Sequence, residues 1–113
     1  MNVKDGFVKV GCDVEEVARF SKLAPALCRR LFSKRERDYC AGKPHPAGHL
    51  AARFAAKEAL FKATGKHFDF ASVEILDDAK GAPCAYINGK LQKKTRVSLS
   101  HSRSVAMAVV LAE

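Results

Sequence analysis

Residues 51–63 read Ala-Ala-Arg-Phe-Ala-Ala-Lys-Glu-Ala-Leu-Phe-Lys-Ala, and no other stretch constrains the fold as strongly. Alanine is the best helix former because it loses no side-chain entropy on folding. The run predicts one long helix over residues 50–64, stopped by Gly65. It is apolar enough to be the element on which strands pack, yet Arg53, Lys57, Glu58 and Lys62 lie inside it. Phe54, Glu58 and Lys62 are spaced i, i+4 and share one side of the helix. A carboxylate held there is either neutralised by a lysine or holding a metal ion.

The remaining elements come from local pattern. Residues 7–12 alternate weakly and read as a strand, with Asp13 placed to cap the next segment. Residues 14–23 carry a helical spacing of apolar side chains. Pro25 suits the first turn of a short helix over 25–31. Ser33 followed by Glu36 is a capping box, predicting a helix over 34–40. Residues 41–48 are loop by composition. Strands are predicted at 73–76, 83–87, 96–101 and 105–111, with Asn88-Gly89 as a hairpin turn. In the third of these, Val97 and Leu99 face one way and Arg96, Ser98 and Ser100 the other. Strand, helices, then strands predicts an α+β fold, a long helix packed on an antiparallel sheet. Neither repeats nor a composition break divide the chain, so a single domain spanning 1–113 is expected.

The 20 Lys and Arg outnumber 12 Asp and Glu, a formal charge of +8 that favours polyanionic partners. Nucleic acid is disfavoured. Lys34, Arg35, Arg37, Lys90, Lys93, Lys94 and Arg96 are basic, but no phosphate loop, zinc-finger spacing or aromatic platform accompanies them. A basic binding module without catalysis is the other alternative. Cys12, Cys28, Cys40 and Cys84 form no CxxC pair, which argues against structural zinc. No apolar run approaches the ~20 residues of a membrane span, and nothing resembles a signal peptide. Reduced thiols and a cytoplasmic location follow as expectations.

Two groups concentrate chemistry. Asp13 and Glu58, with Lys57 and Lys62, suit a magnesium and phosphate site, because hard cations bind through one or two carboxylates plus substrate phosphates. The plain alternative makes Asp13 a helix cap and pairs Glu58 with Lys62. The second group is Ser98-Leu99-Ser100-His101-Ser102. It lacks the strand-to-helix elbow of a serine nucleophile, so His101 reads as a donor to phosphate or ribose, or as a capping histidine. His45, His49 and His67 form no ligand pattern and read as loop or helix-end residues.

Four blocks then carry a resemblance. Residues 11–20 resemble a G-x-D-[IV]-x-x-[IV]-x-R opening, and residues 32–40 an F-[ST]-x-x-E-x-x-Y-C block. Arg53-Phe54-Ala55-Ala56-Lys57-Glu58-Ala59 matches R-F-A-[AV]-K-E-A with Lys62 in place, and residues 98–102 match S-[LI]-[ST]-H-[ST]. In this order they resemble the holo-[acyl-carrier-protein] synthases, the small 4'-phosphopantetheinyl transferases. The resemblance implies transfer of 4'-phosphopantetheine from coenzyme A to a serine of an acidic apo acyl carrier protein. It implies Mg2+ held by Asp13 and Glu58, Lys62 on the transferred phosphate, and Arg53, Lys57 and His101 around the nucleotide. It also implies carrier docking on the early helices, where Arg19, Arg29, Arg30, Lys34 and Arg35 cluster, and a homotrimer with sites between subunits. The general base stays open, with Glu58 one candidate, and so does a fatty-acid or polyketide carrier. The chain departs from the family pattern in two places. Residues 88–95 are short and basic where a helix is usual, and the 65–67 loop is abbreviated.

Overall fold

A computed structural model describes residues 8–113. Strand β1 (Lys9–Glu16) leads through a 3₁₀ turn (Val17–Phe20) to helices α1 (Pro25–Leu31), α2 (Lys34–Ala41) and α3 (Pro46–Thr64). A second 3₁₀ turn (Phe70–Ser72) precedes β2 (Val73–Asp77), β3 (Pro83–Ile87), β4 (Lys90–Leu91), β5 (Thr95–His101) and β6 (Val105–Ala112). The strands form two antiparallel three-stranded sheets, ordered β1-β6-β5 and β2-β3-β4, where one sheet was expected. No helix of the described residues is long and apolar enough to cross a membrane.

The sequence-based expectation fails at β1. Asp13 does not cap a helix. It sits within the strand, opposite Ala108, and the strand continues through Glu16 opposite Val105. Pairing with β6 overrides the helical spacing of residues 14–23, of which only the four-residue 3₁₀ turn remains. Phe7, assigned to the same strand, lies outside the described residues. The capping box forms as expected: Glu36 N–H donates to Ser33 Oγ at 3.2 Å and Ser33 N–H to Glu36 Oε1 at 3.0 Å. Helix α3 begins four residues earlier than expected, because Pro46 takes its first turn. Gly65, at φ 71°, ends it with its N–H on Phe61 O. Asn88 and Gly89 both have positive φ, as a tight hairpin requires, and the basic stretch after them holds only the short β4.

The alanines explain the core. Ala51, Ala52, Ala55, Ala56, Ala59 and Ala63 are buried, as are Ala106, Ala108, Val110 and Ala112 of β6. Small side chains on both surfaces let the helix lie close to the sheet. Gly11 marks the closest approach, since a Cβ there would fall 1.9 Å from the Ala59 carbonyl oxygen. Val73, Ile75 and Ala85 of the second sheet complete this cluster, and Phe20 and Phe32 anchor another under the early helices.

Candidate active site

The register of the first sheet decides where the chemistry goes. Gly11, Asp13 and Glu15 share the inner face of β1, opposite the buried Val110, Ala108 and Ala106. Those residues pair in turn with Val97, Leu99 and His101 of β5. Asp13 and Glu15 therefore line one edge of the face and His101 the other, two strand spacings or roughly 10 Å apart. Helix α3 runs between them. Along it Arg53 and Glu58 are separated by about 140° of rotation, and Arg53 and Lys62 by about 180°.

On the β1 side, Lys62 Nζ donates to Asp13 Oδ1 at 3.2 Å and to Cys12 O at 3.0 Å. The lysine has turned to the strand rather than back along its helix to Glu58. Asp13 Oδ2 is buried with no hydrogen-bond partner, and Glu58 has no hydrogen-bond or ion-pair partner among the described residues. Both halves of the plain alternative are thus replaced: Asp13 caps nothing and Glu58 is not paired with Lys62. Glu15 is a third carboxylate, which sequence pattern alone did not single out. Burial first, then the neighbouring Asp13 carboxylate, push its pKa to about 7; Arg19 opposes this and Glu58 adds to it.

A folded-state pKa raised above the usual 4.5 gives stability that is complete below 4.5 and lost as pH rises through about 7. With EDTA present, the melting temperature is expected to fall across this range in the wild type and more gently in Glu15→Gln. Parallel curves for the two proteins would contradict the assignment.

On the β5 side lies a cavity of about 290 Å³ lined by Tyr39, His49, Arg53, Asp77 and His101 among others. Arg53 is almost wholly buried. It donates to Ile75 O at 3.1 Å, pairs with Asp77 at 3.6 Å and lies 4.4 Å from the Tyr39 ring centroid. Tyr39 in turn donates to Asp77 at 2.9 Å. The His49 and His101 rings are 4.9 Å apart, and burial followed by the His101 charge lowers the pKa of His49. Gly48 makes room for His101, whose Nδ1 would lie 2.9 Å from a Cβ at that position. A second cavity of about 520 Å³ adjoins it, lined by His45, Gly48, His101, Ser102 and Arg103 with others. Tyr39, His49 and Asp77 lie too far apart in sequence to have signalled this cluster.

Lys57 is a correction. Its side chain is fully buried, and Nζ donates to Glu36 Oε1, Leu31 O and Phe70 O at 2.7, 2.7 and 2.8 Å. It reaches neither cavity and belongs to the core rather than to a nucleotide pocket. The early basic residues are at the surface, with different partners. Arg19 pairs with Glu15, Lys34 with Asp38 and Arg35 with Glu74, while Arg29 and Arg30 have no ion-pair partner among the described residues.

A family model of the 4'-phosphopantetheinyl transferase superfamily matches residues 9–110. A holo-[acyl-carrier-protein] synthase from Geobacter metallireducens is 40% identical over 91% of this chain and 94% of its own. The chain belongs to this family, the holo-[acyl-carrier-protein] synthases. Solved structures agree. A family member from Bacillus anthracis in complex with CoA (3',5'-ADP) superimposes with a TM-score of 0.81 at 30% identity, over 94% of this chain and 96% of that one. The family member from Neisseria meningitidis gives 0.79 at 27% identity, covering 93% and 97%. The α+β arrangement of helices on antiparallel strands is the fold of these transferases.

Proposed function

We propose that this transferase moves 4'-phosphopantetheine from coenzyme A to a serine of an acidic apo acyl carrier protein, releases adenosine 3',5'-bisphosphate, and depends on Mg2+. The observation that carries the metal is Asp13 Oδ2, a buried carboxylate oxygen with no partner, on the same side of α3 as the unpartnered Glu58. Among the described residues no group of three or more His, Cys, Asp and Glu side chains is arranged to hold a metal ion. Magnesium bound to substrate phosphates needs only one or two carboxylates, so the donor set fits. Asp13 and Glu58 would be the ligands, and the ion would offset phosphate charge as the bond to the leaving nucleotide breaks.

The chain's own groups account for the remaining requirements. Lys62 already donates to Asp13, within reach of a phosphate at that carboxylate, and can stabilise charge there. The attacking oxygen belongs to the carrier's serine, whose proton passes to a base, with Glu58 the candidate. Arg53 and His101 would line the nucleotide pocket, joined by His49 and Tyr39 and without Lys57.

Because α3 separates these two groups, a site that uses both is best built between copies. The outer face of the first sheet supports this: Val10, Val14, Val105, Met107 and Leu111 are each 40–60% exposed and form a continuous apolar surface across β1 and β6. Burying it against equivalent surfaces in a homotrimer would join the Asp13 edge of one subunit to the His101 edge of the next. Arg19, Arg29, Arg30, Lys34 and Arg35 would steer the acidic carrier onto the early helices.

The test is intact mass spectrometry of an apo acyl carrier protein incubated with the enzyme, coenzyme A and Mg2+. One phosphopantetheine should be added. EDTA should abolish the gain, and Asp13→Ala and Glu58→Ala should each slow it ~10²-fold or more. Transfer that persists in EDTA and in Glu58→Ala would exclude the metal reading.

A further inference from the structure

Resting on the reading that Arg19 engages the acidic carrier, we infer that Glu15 is the residue that positions Arg19 for that encounter. Arg19 is 64% exposed, yet its Nη1 lies 2.7 Å from Glu15 Oε1, on a carboxylate side chain only 9% exposed. A free arginine carries substantial rotamer entropy, which docking would otherwise have to overcome. Here a charge-assisted bond to a rigid strand residue removes much of that freedom beforehand.

The direction it imposes is specific. Arg19 and Phe20 border a groove of about 410 Å³ that also includes Leu23, Leu27, Leu31 and Phe54. The guanidinium stands 5.8 Å from the Phe20 ring centroid. A cation is thus fixed at the edge of an apolar groove, the arrangement an acidic amphipathic helix would meet with its charged and apolar faces together. Glu15 is nearly buried beside Asp13, where a carboxylate is costly, and holding Arg19 gives it a purpose that packing does not. The same face of β1 therefore carries Asp13 and, two residues on, the carboxylate that orients the docking arginine.

The decisive measurement is binding of a fluorescently labelled acidic apo carrier protein by anisotropy at pH 8, with EDTA and without coenzyme A. Metal and nucleotide then have no part in the readout. Arg19→Gln and Glu15→Gln are each expected to weaken binding about fivefold. The double variant should be no weaker than Arg19→Gln alone, because the two act as one unit. Arg19→Lys changes an exposed side chain, keeps the charge and gives up the held guanidinium; it should match Glu15→Gln and covers the case in which that variant misfolds. In turnover, the KM for the carrier should rise more than the KM for coenzyme A. If Arg19→Gln leaves binding unchanged, the docking reading falls and this inference with it. If Arg19→Gln weakens binding while Glu15→Gln or Arg19→Lys does not, or if the two losses simply add, the inference alone is overturned.

Discussion

Replacing Lys57 with methionine is expected to destabilise the protein by about 3–5 kcal/mol, a large part of a small domain's stability. The ammonium has three protons, and each has an acceptor: Glu36 Oε1, Leu31 O and Phe70 O. Glu36 is itself fully buried and also accepts from the backbone N–H of Ser33 and Ile75. One lysine thus ties the end of α1, the start of α2, the turn before β2 and the middle of α3 to a common point. Methionine fills similar volume but leaves a buried carboxylate without its counter-ion and the Leu31 carbonyl without a donor, while Phe70 O keeps only the N–H of Val73. Burial pulls the Lys57 pKa down and Glu36 opposes this, so the pair holds its charge only as a pair. Guanidinium denaturation of Lys57→Met, Glu36→Gln and the double variant measures the coupling, and the double loss should be well below the sum. A Lys57→Met loss under about 1 kcal/mol would show that the core does not need the ammonium.

Gly11→Ala is expected to cost about 3 kcal/mol or more and to impair the site as well. The new Cβ would lie 1.9 Å from Ala59 O, 2.7 Å from Ala63 N and 2.9 Å from Ala59 C. All three are backbone atoms, so no side chain can rotate away and α3 must move off β1. Asp13 follows Gly11 on the same strand face and is joined to α3 through Lys62. Separation would therefore weaken the proposed Mg2+ binding beyond the stability loss, which titration calorimetry with Mg2+ on the folded fraction can measure. Near-wild-type stability and unaltered Mg2+ binding would mean that helix and strand tolerate a wider spacing.

Local chemistry made the helices legible. The Ser33–Glu36 box, Pro25 and Gly65 act through neighbours a few residues away, and the boundaries they imply hold to within a residue, whereas Pro46 was read as loop and α3 starts there, four residues earlier than expected. Period-two alternation likewise located β5, and a nearly continuous apolar run located β6. Residues 14–16 were misread because their helical spacing competes with pairing to β6, about ninety positions away in the chain. Charge in a helix was equally ambiguous. Arg53, Lys57, Glu58 and Lys62 all lie in one motif, but a side chain's fate depends on which direction around α3 meets the sheet, the early helices or solvent.

By itself the sequence determined the fold class, the long alanine helix and the family, and it brought Asp13, Glu58 and Lys62 forward as candidates. Their types and spacing are local properties of the chain. Only the tertiary structure decided that Asp13 sits within a strand, that Lys57 is core, that Glu15 holds Arg19, and that α3 separates Asp13 and Glu58 from the Arg53–His101 cavity. Each of those depends on contacts between segments distant in sequence, where packing, register and burial select among side chains that look alike on the chain.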